Sequence, residues 1–359
     1  MENSVSKSEK IGGRVFWREK PSLSSEEARR LQSEALVIDT LAYINGYQIL
    51  STPTIESRLQ ELTHQGADRF TLIKELTAQS KRELKDSDEA KKAYMDVWER
   101  SGVTSVLYTM SDGGNAARET YEEVLKIISN TFALVRMLKG ELFVALNAAD
   151  IERAKRTKKR AIILGLQNAT SIEDRVDRIE VLYDMGVRSM QLAYQARNLL
   201  GDGCGERSPA GLSRFGMEAV TVMNELGMIV EVSHCSEKVA LDAAELCKDP
   251  ISANHTGSYS IHPHIRNKSD EALKAIADRG GYIGVYLVPR FLSDESPVTL
   301  EHFVDHVVHI ARVAGLESVG IGTDRGMVWN FPSGVPVHKR QDGYSWLYFP
   351  QGTLRSNQW

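Results

Sequence analysis

The sequence predicts an α/β chain folded as a single barrel of eight parallel strands, each followed by a helix. Three observations carry that expectation. Short apolar runs rich in β-branched residues alternate with amphipathic helical stretches along most of the chain, the pattern of a parallel sheet with helical crossovers. Some of these runs, such as Ala161-Ile-Ile-Leu-Gly-Leu166, are apolar throughout, as strands covered on both faces are. Two further runs end in histidine and a third in aspartate, and strand C-terminal ends are where a β/α barrel keeps its chemistry.

Taken in order, residues 1–23 are polar and of mixed charge and read as an N-terminal extension. Folding proper begins at Ser24, which stands before Ser25-Glu-Glu27 as a helix N-cap with acids in the first turn. Strand candidates follow at 36–43, 103–110, 142–146, 161–167, 189–194, 228–234, 250–255, 281–288 and 318–324. Nine candidates compete for eight places, so the shortest, 142–146, is expected at the periphery. Residues 44–100 read as a helical insertion after the first strand, too charged over 79–92 to be core and suited to a lid or a homodimer contact. Before the sixth run, Phe215, Ala219, Val220, Met223 and Leu226 recur at helical spacing. Residues 329–359 hold Pro, Gly and aromatics but no helical stripe, so the last barrel helix is expected to be missing from a single domain spanning 24–359.

A hydrophobic content of 42% over 359 residues supports one large core. A net charge of -4 gives no reason to expect nucleic acid or an anionic membrane as a partner. The cysteines, Cys204, Cys235 and Cys247, lack CxxC spacing and indicate neither a disulfide framework nor a thiolate zinc site. With no apolar leader, and no run near the roughly 18 apolar residues of a membrane span, a cytoplasmic location is the expectation.

The chemistry is expected at Met228-Ile-Val-Glu-Val-Ser-His234, Pro250-Ile-Ser-Ala-Asn-His255 and Ser318-Val-Gly-Ile-Gly-Thr-Asp324. One strand-end histidine is ordinarily a hydrogen-bonded core residue; two, with an aspartate on a third tip, describe a metal-assisted hydrolase site. Other histidines compete less well. His302, His306 and His309 lie on one helix with no glutamate after the first, and read as a solvated face; His262 and His264 flank Pro263 in a loop at the pocket mouth. Nothing near Cys204 or Cys235 lowers a thiol pKa, and Gly113-Gly114 lacks the Lys of a phosphate loop. The basic run Lys155-Arg-Thr-Lys-Lys-Arg160 fits a helix C-terminus.

Several ordered motifs extend this reading: Tyr183-Asp-Met-Gly-Val-Arg-Ser-Met-Gln-Leu192, Asn198-Leu-Leu-Gly-Asp-Gly-Cys204, Gly211-Leu-Ser-Arg-Phe-Gly216, Met223-Asn-Glu-Leu-Gly-Met-Ile-Val-Glu-Val-Ser-His234, Arg266-Asn267 and Val319-Gly-Ile-Gly-Thr-Asp324. Together they closely resemble the renal or membrane dipeptidase family, peptidase family M19 of the amidohydrolase superfamily, from about residue 36 to 324. The resemblance implies a TIM-like barrel of the metal-dependent hydrolase type, with two zinc ions opening dipeptides. It makes His234 and His255 the ligands of the second zinc, Arg266 the grip on the substrate carboxylate with Asn267 beside it, and Asp324 the residue that handles the substrate amine and protons.

The other half of the site departs from the family. Where the family has a His-x-Asp pair on the first strand, Leu41 and Tyr43 stand in Asp39-Thr-Leu-Ala-Tyr43; Gln167 replaces the bridging glutamate, and Tyr194 a pocket histidine. Leucine has no lone pair, tyrosine is a poor ligand with its pKa near 10, and glutamine supplies no anionic bridge. The expectation is therefore at most one divalent metal, zinc or manganese, held weakly or not at all by His234, His255 and the Gln167 carbonyl. Tyr194 and Gln167 would shape the pocket around a small carboxylate-bearing amide substrate and donate to the developing oxyanion. A lyase or isomerase on the same fold, or a silent barrel that binds a ligand or partner, are the alternatives.

Overall fold

The computed structural model describes residues 8–11, 14–17, 23–43, 52–110 and 119–326. Eight parallel strands form the barrel: β1 (Ile38–Asp39), β2 (Ser105–Met110), β3 (Arg160–Leu166), β4 (Val187–Gln191), β5 (Ile229–Glu231), β6 (Ser252–Thr256), β7 (Tyr282–Val285) and β8 (Val319–Ile321). Each pairs with its neighbour in chain order. The Thr40 amide donates to Ile321 O at 3.0 Å and the Asp324 amide to Leu41 O at 2.9 Å, which brings the two edges of the sheet together. Leu142–Val144 lies off this path, as its length suggested. It pairs with Arg160, Ala161 and Ile162 at the start of β3, and β4 takes over that flank from Leu164 onward.

The run 36–43 is not one strand. Asp39 turns its carboxylate onto the amides of Leu41 (3.1 Å) and Thr323 (2.9 Å), taking donors that a continued ladder would need. The chain bends there, and Ala42–Tyr43 pairs separately with Arg325–Gly326. Similarly, β5 ends at Glu231 because the Glu231 carboxylate captures the Ser233 amide at 2.7 Å. His234 thus stands on the loop beyond β5, whereas His255 lies within β6. The strand tips also require glycine: a Cβ on Gly322 would sit 1.7 Å from the Asn254 carbonyl oxygen.

The first helix, Ser25–Glu34, starts at Ser24 with a reciprocal capping box to Glu27. Lys155, from the basic run, donates to Ser33 O and Ala35 O, so it caps that neighbouring helix at its C-terminus. The segment 52–101 forms helices Pro53–His64, Arg69–Asp86 and Asp88–Ser101. Contrary to expectation, its charged stretch contributes to the core: Leu84, Ala90, Tyr94 and Trp98 are buried. Helical spacing turns the lysines and acids outward while these positions face the barrel. Asp88–Ser101 ends at left-handed Gly102 just before β2. The tail 329–359 and its missing-helix expectation lie outside the described residues. Among the described residues no helix is long and apolar enough to cross a membrane.

The histidine helix, Leu300–Ala314, also corrects its expectation, since His302 and His306 are buried and only His309 is partly open, paired with Asp270 at 2.7 Å. A loop that packs over the helix uses the imidazoles as hydrogen-bonding core. His306 Nδ1 accepts from the Ser258 amide at 2.9 Å and its Nε2 donates to Leu292 O at 3.1 Å, which fixes the neutral ring. Burial holds its pKa down to about 4. Because the unfolded value, near 6.5, lies higher, the neutral ring's stabilisation is present above that pH and is lost as pH falls toward 4, by about 3 kcal/mol. His306→Gln should flatten the fall of the urea midpoint across this window; identical pH profiles for wild type and variant would contradict the assignment.

Candidate active site

Three side chains, from the C-terminal ends of β3, β5 and β6, converge. His255 Nδ1 donates to Asn254 Oδ1 at 2.6 Å, leaving Nε2 unprotonated in the neutral ring and able to accept. That Nε2 lies 2.8 Å from His234 Nε2 and 3.3 Å from the Gln167 amide nitrogen. Tyr194 stacks on the His234 ring with centroids 4.0 Å apart, and the His234 Nδ1 is buried without a hydrogen-bond partner. Gln191 ties the group together, accepting from the His234 amide at 3.2 Å and donating to Gln167 O. Burial first, and the Arg266 charge second, hold both histidines well below their ordinary pKa, so they are neutral and able to ligate.

His234, His255 and Gln167 are the residues here that could hold a cation. Two imidazole nitrogens already point at a common place, and the Gln167 amide can present its oxygen by turning about its last bond. On the opposite side Leu41 is wholly buried in the core, and the Tyr43 hydroxyl donates to Asp324 Oδ1 at 2.9 Å. Among the described residues no group of three His, Cys, Asp or Glu side chains is placed to hold a metal.

The acid side is built on strain and burial. Asp324 follows β8 with φ 54°, a left-handed conformation that a non-glycine residue adopts at a cost. Burial raises its carboxyl, while the Tyr43 hydrogen bond and then Arg266, Arg325 and Arg290 oppose that rise. Asp39 beside it is pushed up to about 6 by burial, against the Thr323 and Leu41 hydrogen bonds.

Arg266 does not hold an open fork. One Nη donates to Ser233 O and the other to His255 O at 3.2 Å, so the guanidinium ties the His234 loop to β6; its Nε is buried and unpartnered. Asn267 departs further from a substrate-binding role. Its amide nitrogen donates to His262 O (2.8 Å) and Phe291 O (2.9 Å), and its oxygen accepts from Tyr286, so it closes a loop. His264, at the mouth, packs on Phe291 with ring centroids 4.6 Å apart. Cys235 is inert, its thiol pushed up to about 12 by burial.

Sequence reasoning passed over Glu231, Ser233, Asn254 and Lys268. Ser233 Oγ donates to Glu231 and accepts from the His255 amide at 3.0 Å, and Asn254 sets the His255 tautomer. Lys268, buried, donates to Cys235 O at 2.6 Å. The available signal was a glutamate between valines in a strand apolar on both faces, where a charge is costly unless it organises something.

Comparison with known proteins gives the same family. The profile of the membrane dipeptidases, peptidase family M19, matches residues 85–338. Dipeptidase tcpJ of Claviceps purpurea is 31% identical over 195 residues, covering 53% of this chain and 46% of the relative. An uncharacterized dipeptidase of Schizosaccharomyces pombe is 30% identical over 222 residues, covering 59% and 53% respectively. The chain thus spans about half the length of these curated relatives. The crystal structure of an amidohydrolase from Pseudomonas aeruginosa superposes with a TM-score of 0.66 at 27% identity, over 88% of this chain and 82% of that one.

Proposed function

The chain belongs to the membrane dipeptidase family, peptidase family M19, and on that premise we propose that it hydrolyses small amides derived from amino acids using a single, weakly held divalent metal. The observation that carries this reading is the convergence of His234 and His255 Nε2 beside Gln167, set against Leu41 and Tyr43 in the opposite half of the site. Zinc or manganese held by His234, His255 and the Gln167 oxygen would supply Lewis acidity toward a substrate carbonyl or water. The residues of the chain do the rest. Asp324, its pKa raised by burial, takes a proton from the attacking water and returns it to the leaving amine. Tyr43 fixes the orientation of that carboxylate. Tyr194, flat against His234, shields the imidazole from water and borders the space where an oxyanion develops. Arg266 places a permanent positive charge beneath the pocket that favours a substrate carboxylate. Free cysteines, of which Cys235 and Cys247 are buried, suit a reducing compartment such as the cytoplasm.

The test is hydrolysis of a panel of dipeptides and N-acyl amino acids with added zinc or manganese, and again after chelation. Slow, metal-restored turnover of some members and little turnover of simple dipeptides is the expected result, because no bridged pair of cations is available. Robust dipeptide turnover would contradict the reduced site, and ligand binding without any turnover would favour the silent barrel.

A further inference from the structure

We propose that Glu231 is a positioning residue: it fixes the spacing of the two imidazoles and thereby sets how tightly the site holds a divalent cation. The inference rests on the metal-binding reading of His234 and His255 and adds the residue that governs its strength. Its basis is the way β5 and β6 part. Their register is the single pair Ser252 with Glu231, and the Val232 amide donates to Ser252 O at 2.8 Å. A parallel ladder continued from that pair would send the Asn254 amide to Val232 O and the His234 amide to Asn254 O. Both are diverted to side chains instead, the Asn254 amide to Glu231 Oε1 at 3.1 Å and the His234 amide to Gln191 Oε1 at 3.2 Å.

The Ser233 amide, at 2.7 Å, and the Ser233 hydroxyl donate to the same Glu231 oxygen, and Ser233 Oγ accepts from the His255 amide at 3.0 Å. One buried oxygen thus stands where a strand would, bonded to the residue before His234 and to the residue before His255. That second residue is Asn254, whose side chain accepts from His255 Nδ1, so Glu231 also anchors the group that orients the ring. Arg266 works on the carbonyls of the same two segments, Ser233 O and His255 O. With amides gathered by an acid and carbonyls by a guanidinium, the His234 loop has little freedom to slide against β6. The two Nε2 atoms are held 2.8 Å apart, and ligands already in place lose little freedom on meeting a cation. Glu231 Oε1 accepts whether or not the other oxygen carries a proton, so the bracing does not depend on ionisation.

The test measures zinc affinity on the full chain by competition with a chromophoric chelator, and the visible absorption of added cobalt(II) as a report on ligand geometry. Glu231→Leu should bind zinc about 10–100-fold more weakly than wild type, with an altered cobalt spectrum, the usual cost of losing a group that orients metal ligands. Glu231→Gln keeps an accepting oxygen in the same place and should stay within about threefold of wild type. Ser233→Ala removes only the hydroxyl between Glu231 and the His255 amide; it should weaken zinc about tenfold, and it decides the matter if Glu231→Leu does not fold. A merely structural Glu231 would lower the melting temperature of the variants and leave the zinc affinity and cobalt spectrum of the folded protein at wild-type values. That result, or a Glu231→Gln as weak as Glu231→Leu, overturns the proposal and leaves the metal-binding reading standing. A wild type that takes up neither metal overturns the metal-binding reading itself, and the inference with it.

Discussion

Asp324→Asn is expected to lower turnover by about 10²–10⁴-fold, the usual contribution of a positioned general acid–base, while leaving the fold in place. The argument is local. Asparagine keeps the size of the side chain and an oxygen to accept the Tyr43 hydroxyl, and among non-glycine residues it is well suited to the left-handed backbone that Asp324 adopts at φ 54°. The variant therefore removes proton transfer with little else. A side chain that merely capped the turn after β8 would show near-normal kinetics, and steady-state rates on whichever panel member is turned over fastest decide between the two.

Arg266→Met is expected to cost about 3 kcal/mol of folding stability and to abolish thermal stabilisation by carboxylate ligands. The guanidinium is buried to 1% exposure and satisfies the carbonyls of Ser233 and His255, one before and one at the two imidazoles that converge. Methionine fills the volume but removes the guanidinium that spans the two carbonyls, leaving Ser233 O with only the Lys268 ammonium at 3.3 Å, and loosens the His234 loop from β6. Lysine should rescue only part of the loss, because one ammonium lacks the fixed fork that spans both acceptors. Denaturant unfolding of the three proteins, together with their melting temperatures in N-acyl amino acids, measures both effects. A variant with wild-type stability would show that the two carbonyls find other donors and that Arg266 holds nothing together.

Much of the fold was legible because its signals are local. Apolar runs marked all eight barrel strands, the short 142–146 run foretold a peripheral position, and Ser24 with Glu27 announced the first helix, whereas the paired strands Ser8–Ile11 and Arg14–Trp17 lie in a stretch too polar to signal them. What escaped was set by tertiary contacts. The charged stretch over 79–92 joined the core because helical spacing, which composition does not display, sorts Leu84 and Ala90 inward. His302 and His306 were buried by a loop from elsewhere in the chain, an event their own helix does not encode. At the site, His234 and His255 Nε2 lie 2.8 Å apart with the Gln167 amide beside them. The roles of Arg266 and Asn267 did not transfer so simply, since their donors are committed to backbone carbonyls of loops that sequence motifs do not locate.

The central claim is that this site, with Leu41 and Tyr43 in place of a metal-binding pair, holds no more than one cation. Anomalous diffraction from crystals grown in excess zinc, with elemental analysis of the same protein, tests it most directly. One zinc peak per chain between His234 and His255, absent in His234→Ala, is the result the account predicts. Two fully occupied peaks within about 4 Å of each other, as in a two-metal hydrolase, would contradict it.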